Sequence, residues 1–198
     1  MNVSRETRAG LAHYIDLLRE WQGRMNLVAP STLDEAWDRH IEDSLQLLDY
    51  LPAANPRRWV DMGSGAGFPG LVAAYCLPGT KVHLIESRQK KCRFLETVAE
   101  ALAIKDRVTV HAERIESLRG PKADIISARA CAALTKLFDW GLRFQAKDTL
   151  WILPKGRSAE EEIETAREGF DFDLAAQPSR TDPDARILLV RGVRRKRS

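Results

Sequence analysis

The chain has 198 residues, 44% of them hydrophobic and 30% charged, a balance that excludes disordered and fibrous classes and suits one packed domain. No apolar run reaches the roughly 18–20 residues that cross a bilayer, and the N-terminal MNVSRETRAG lacks the apolar core of a secretory signal, so a cytoplasmic protein is expected. The net charge of +3 hides an asymmetry: RGVRRKRS at the C-terminus holds five basic and no acidic residues, leaving a slightly acidic remainder. Such a tail suits either a polyanionic partner or a solvated terminus. Cys76, Cys92 and Cys131 form no CxxC, which reads as reduced thiols in packing roles, and four scattered histidines give no metal-ligand spacing.

In chain order, Leu11, Tyr14, Ile15, Leu18 and Trp21 trace one face of an amphipathic helix. Pro30 interrupts it, and Thr32-x-x-Glu35 has the form of a capping box opening a second helix to about Leu51. From Arg58 short apolar runs alternate with helical stretches. The runs 59–63, 81–87, 108–112, 123–130 and 149–156 read as strands, with helices over 68–77, from Arg88 to about Ile104, and from Leu134 to Phe144. Strands alternating with helices imply right-handed crossovers and a mostly parallel sheet covered on both faces. The last two strands, 170–177 and 185–193, are joined through TDPD and must be antiparallel. The expectation is a doubly wound α/β fold: seven strands, mostly parallel, with an antiparallel last strand. Residues 1–57 would form a helical extension packed on a 58–193 core, with 194–198 as a basic tail.

Asp61-Met-Gly63-Ser-Gly65-Ala-Gly67-Phe-Pro-Gly70 follows a strand and opens a helix, the position where open α/β sheets bind ligands. Gly65-x-Gly67-x-x-Gly70, with Glu86 about 20 residues on, matches a dinucleotide fingerprint. Asp61 at the strand end favours a different cofactor. A carboxylate there would repel a pyrophosphate and attract the ammonium and sulfonium of S-adenosylmethionine, whose ribose hydroxyls suit Glu86. The alternative reading of Asp61 is a helix or turn cap.

Six motifs in order carry a resemblance to a known family. They are Trp21 with Asn26-Leu27, Arg39-His40-x-x-Asp43-Ser44, the DMGSGAGFPG turn, LIES-x-x-KKCRFL over 84–95, Ala128-Arg129-Ala130, and Leu153-Pro-Lys155-Gly156. The sequence resembles the bacterial GidB/RsmG family of 16S ribosomal RNA guanine-N7 methyltransferases, which have the class I, Rossmann-like fold. The resemblance implies S-adenosylmethionine as cofactor, contacted through Gly63, Phe68, Arg129 and the pair Ile115-Glu116. HAERIE is one residue longer than the family pattern, so Glu113 is an alternative to Glu116. Gly65 belongs to the same turn, and Glu86 is added as the ribose-binding carboxylate.

The implied substrate is one guanine in the 530 loop of 16S RNA, guanine 527 in the usual RNA numbering, presented as RNA or as a small-subunit assembly particle. Arg88, Lys90, Lys91 and Arg93 crowd the end of the second strand. With Lys155 and the tail residues Arg194, Arg195, Lys196 and Arg197, they are candidate phosphate contacts. Arg39 and His40 gain a substrate role only through the resemblance; an ion pair with Asp43 would also account for them. N7 carries a lone pair and no proton, so direct attack on the methyl carbon needs positioning rather than a general base. No catalytic residue and no metal are expected.

Overall fold

The computed structural model describes residues 3–197; Met1, Asn2 and Ser198, at the ends of the expected extension and tail, lie outside the described residues. Helix α1 (Arg5–Gln22) is capped by Ser4, whose hydroxyl accepts from the Thr7 amide at 3.1 Å. Its face of Leu11, Tyr14, Ile15 and Leu18 is buried, as the spacing predicts.

The second helix differs from expectation. The Thr32 hydroxyl donates to the Ala29 carbonyl at 2.7 Å and sits 2.9 Å from His40 Nε2, so it caps nothing downstream. A 3₁₀ turn (Pro30–Thr32) comes first, and the helix proper begins with a π-helical turn (Trp37–Glu42). It passes through a short α segment, α2 (Asp43–Leu45), into a 3₁₀ turn (Gln46–Tyr50). A wide π turn spaces side chains unlike an α-helix and is frequent at functional sites. Here it carries Arg39 and His40.

The sheet contains β1 (Arg58–Met62), β2 (Lys81–Ile85), β3 (Val108–His111), β4 (Ala123–Ser127), β5 (Gln145–Lys155), β6 (Phe170–Pro178) and β7 (Arg186–Arg195), in spatial order β3-β2-β1-β4-β5-β7-β6. The first five pair in parallel, and β7 runs antiparallel to both β5 and β6. The seven-stranded, doubly wound expectation holds. One core cluster joins α1, α3 (Gly70–Cys76) and α4 (Gln89–Ala101) to one face through residues such as Leu18, Leu71, Phe94, Trp59 and Leu84. The other covers the opposite face with α5 (Leu134–Gly141) and α6 (Ala159–Gly169), centred on Phe138 and Trp151. Residues from the expected 1–57 extension therefore share a core with the sheet. Phe94 is fully buried with Trp21 beside it, ring centroids 5.6 Å apart, matching their reading as core.

Helix α6 had no counterpart in the sequence reading. It buries only Ala159 and Ala166, too little apolar surface to stand out as periodicity, although three glutamates fill its first turn. Arg194 and Arg195, expected in a tail, are the last two residues of β7.

Candidate functional site

The C-terminal ends of β1, β2, β4 and β5 and the loops beyond them enclose a cavity of about 970 Å³. Its floor is the turn Gly63–Ala66, anchored from beneath by Asp61. The Trp59 indole donates to Ser127 Oγ at 2.7 Å, and Ser127 donates in turn to Asp61 Oδ1 at 2.6 Å. Asp61 is fully buried and absent from the cavity wall. Its Oδ2 makes no hydrogen bond among the described residues and faces the start of α3 at Gly70. Burial pushes this carboxyl up to about 6, against the lowering effect of hydrogen bonds from Ser127 and Ser64 and of the Arg129 charge. The structure thus puts Asp61 beneath the turn rather than on the cavity wall, and its backbone carbonyl accepts from the Ser64 hydroxyl at 2.9 Å.

Gly63 and Gly67 have φ of +66° and +92°. A Cβ on Gly63 would fall inside the Cys131 sulfur, and one on Gly67 inside the Leu71 side chain and the Tyr14 hydroxyl. The turn therefore requires glycine at both positions. The Tyr14 hydroxyl donates to the Ala66 carbonyl, tying α1 to the turn, and burial raises its pKa well above the usual phenol value.

Glu86, just past β2, is 9% exposed on the cavity wall. The Gly65 amide donates to its Oε2 at 3.1 Å and the Arg88 amide to its Oε1 at 2.7 Å, fixing both oxygens at the rim. Phe68 is stacked between Tyr14 and His40, with centroids 4.8 and 5.0 Å away, and the Arg129 guanidinium lies over its ring at 5.1 Å.

Arg129 organises the opposite wall. Its Nη1 donates to Asp43 Oδ2 at 3.0 Å and to the Arg39 carbonyl at 3.1 Å. Its Nη2 lies 3.2 Å from His40 Nδ1. A guanidinium only donates, so Nδ1 accepts, the proton resides on Nε2, and Nε2 donates to Thr32 Oγ1. Burial and the Arg129 charge lower the His40 pKa to about 4, keeping the ring neutral at pH 7. Asp43 Oδ1 accepts from Thr181 Oγ1 at 2.8 Å and from Gln46 Nε2 at 3.0 Å, bringing the loop between β6 and β7 against the cavity. Arg39 pairs with Asp182 at 3.7 Å, so the Asp43 carboxylate belongs to Arg129 rather than to Arg39 or His40.

Lys155 Nζ donates to Glu162 Oε2 and to the Ala132 carbonyl, both at 2.7 Å. Burial raises the Glu162 pKa, but the hydrogen bond and charge of Lys155 outweigh it and hold the carboxyl below its usual range. Cys131 lines the cavity with its thiol pushed up to about 11, chiefly by burial, and is protonated at neutral pH. Cys92 is buried, its thiol donating to the Glu86 carbonyl at 3.1 Å.

This arrangement narrows the comparisons. A profile of the GidB family, described as rRNA small subunit methyltransferase G, matches residues 7–182. The chain belongs to this family of small-subunit rRNA methyltransferases. Among similar family members, the ribosomal RNA small subunit methyltransferase G of Rhizorhabdus wittichii is 46% identical over 96% of this chain and 88% of its own length. That of Rhodospirillum centenum is 47% identical over 94% and 84%. The fold is also that of more distant methyltransferases. A ribosomal protein L11 methylase from Lactobacillus delbrueckii superposes with a TM-score of 0.62 at 18% identity, covering 80% of this chain and 79% of that one. An O-methyltransferase from Bacillus cereus, solved in complex with SAH, gives 0.59 at 16% identity over 91% of both chains.

Of the residues expected from the sequence, Gly63, Gly65, Phe68, Glu86, Arg129, Arg39, His40, Arg88, Lys91 and Lys155 converge on the cavity wall. Others lie elsewhere. Ile115 is buried in the second core cluster, and Glu113 and Glu116 are exposed outside the wall. Lys90 and Arg93 are exposed on α4, also off the wall. Arg194, Arg195, Lys196 and Arg197 sit at the far end of the sheet: β7 pairs Arg186 with Lys155 at the cavity, and Arg195 follows about 30 Å of strand later. The antiparallel direction of β7 carries these four residues away from the cavity. Sequence reading missed Thr181 and Asp182 as cavity residues, because TDPD signalled only a turn.

Proposed function

We propose that this chain transfers the methyl group of S-adenosylmethionine to N7 of guanine 527 in the 530 loop of 16S ribosomal RNA. The observation that supports this reading best is the pairing of an acceptor, Glu86, clamped at the rim by two backbone amides, with a turn whose backbone is laid bare by glycine. Such an acceptor beside an open backbone suits an adenosyl group without phosphates, and the cavity is of small-molecule size. The residues fit the cofactor. Glu86 would accept from ribose hydroxyls, Gly63 and Gly65 would admit the cofactor against the backbone, and Phe68 and Arg129 would border it. Ile115 and Glu116, with Glu113 as the alternative carboxylate, are proposed at the adenine side on the family resemblance, although all three lie off the cavity wall.

When bound, S-adenosylmethionine supplies an electrophilic methyl on a sulfonium. The chain's own residues supply position. His40 is neutral with both ring nitrogens engaged, Cys131 is protonated, and Lys155 is committed to Glu162. None is poised to take a proton near pH 7, and guanine N7 has none to give. Holding the reacting atoms at about 3–3.5 Å in line is then the main catalytic task. Arg39, Arg88 and Lys91 would meet phosphates at the cavity mouth, with Lys90 and Arg93 alongside, and Arg194 to Arg197 would add contacts at a distance. Tritium transfer from labelled S-adenosylmethionine to small-subunit RNA lacking its modifications tests the reading. Incorporation of about one methyl per RNA is expected, and none with folded, cofactor-bound protein would overturn it.

A further inference from the structure

The end of the sheet opposite the cavity carries a row of exposed cations. Lys81 opens β2, Arg57 and Arg58 open β1, Lys122 precedes β4, and Lys147 lies in the bulge of β5. All five are exposed. At about 4.8 Å between strands, the row from β2 across to the end of β7 spans roughly 19 Å. Arg194, Arg195, Lys196 and Arg197 continue it.

Ion pairing does not explain this charge. Among the described residues, none of Arg57, Arg58, Lys81, Lys122 and Lys147 has a carboxylate within salt-bridge distance. Asp124, the acid nearest in sequence to Lys122, is occupied by backbone: the Arg57 and Arg58 amides donate to its Oδ2 at 2.7 and 2.9 Å. Arg194 and Arg195 do pair, with Asp171 at 3.5 Å and Asp139 at 2.7 Å, which fixes the end of β7 beside the row rather than leaving it a loose tail. The edge is also rigid, since Arg58 Nη1 donates to the Lys122 carbonyl at 2.9 Å and Arg191 Nη1 to the Asp148 carbonyl at 2.8 Å.

We infer that this edge is a second binding surface for ribosomal RNA backbone, gripping a segment distinct from the one entering the cavity. The inference rests on the rRNA reading above. A row of exposed cations of which Arg57, Arg58, Lys81, Lys122 and Lys147 have no salt-bridge partner among the described residues matches the repeating phosphates of a structured RNA better than the scattered carboxylates of an acidic protein face. The cavity lies at the opposite ends of the strands, so an RNA segment entering it and one lying along this edge meet different faces of the chain.

The test is a variant carrying Lys81→Gln, Lys122→Gln and Lys147→Gln, all exposed and outside the cavity wall. Its affinity is compared with wild type on a full-length 16S transcript, on a short hairpin holding the 530 loop, and on assembled small subunits. Expected are an affinity for the transcript reduced about tenfold and a log–log salt slope lower by about 2. Hairpin affinity, the melting temperature and the single-turnover rate at saturating transcript should be unchanged. Unchanged transcript binding would overturn the proposal. So would equal weakening on the hairpin, or a loss confined to assembled particles, which would indicate a protein partner. If wild type methylates neither transcript nor particle, the rRNA reading itself fails, an outcome separate from all of these.

Discussion

Arg129 donates to His40 Nδ1 across 3.2 Å while His40 stacks on Phe68, so one guanidinium sets the tautomer of the histidine and adds to burial in keeping it neutral. The same guanidinium holds the Asp43 carboxylate, with each side chain only 18% exposed. A strand end, a π-helical turn and the loop between β6 and β7 are thereby joined around the cavity.

Removing the acid leaves a half-buried cation without its partner. Asp43→Asn should cost about 2 kcal/mol, below the 3–5 typical of fully buried pairs. Arg129→Lys should also destabilise, because an ammonium cannot reproduce the fork that meets Asp43, the Arg39 carbonyl and His40 together. Urea midpoints with unchanged m values measure both. Losses under about 0.5 kcal/mol would mean the contact is a surface pair.

Gly63→Ala should destabilise by about 1–3 kcal/mol, combining strain at φ +66° with the Cys131 clash. Adding Cys131→Ala removes the sulfur but leaves the backbone strain, so part of the loss should return. The double-mutant cycle reads the coupling. Purely additive losses would remove Cys131 from the explanation.

Stability should depend on pH in a defined sense. Burial holds His40, and His83 of β2 with its Nδ1 3.0 Å from His111 Nε2, down to about 4, so below about 6.5 the unfolded chain binds protons that the folded chain refuses. Their contribution is present above 6.5 and lost as pH falls towards 4. Asp61 acts oppositely. Its raised pKa favours the folded state at low pH, and that contribution is lost as pH rises from 3.8 through about 6. Thermal melting across pH 4–7 should therefore show a steeper acid loss in Asp61→Asn than in wild type, and a shallower one in His83→Gln. Identical slopes in all three would contradict these assignments.

Because none of the titrations at about 4, 6 and 11 needs to deliver a base, single-turnover methyl transfer should be flat between about pH 7 and 8.5 at saturating RNA and cofactor. A rate rising tenfold per pH unit, with that dependence lost in one variant, would indicate a general base and a protonated target atom.

Much of the fold was legible because alternation of apolar runs with helical spacing is a strong, local signal. The turn from Asp61 to Gly70 was legible for a different reason, since only glycine fits beside Cys131 and Tyr14. What stayed hidden depends on three-dimensional closure. The Thr32 hydroxyl prefers Ala29 and His40 to the capping role its spacing suggests. Helix α6 is held through Glu162, which accepts from Lys155 and from the Leu134 amide at 2.8 Å, contacts that leave no periodic trace. The reversal of β7, which carries the tail to the far edge, follows from the tight TDPD connection, but no local pattern says that Asp61 turns beneath the loop instead of into the cavity.

The most direct test of the central claim is chemical mapping of N7-methylguanine in unmodified 16S RNA after incubation with the protein and S-adenosylmethionine, using strand scission at N7-methylated positions. The account predicts a single new scission at guanine 527, present only with both protein and cofactor. A methyl recovered at any other atom or nucleotide, with 527 unmodified, would contradict it.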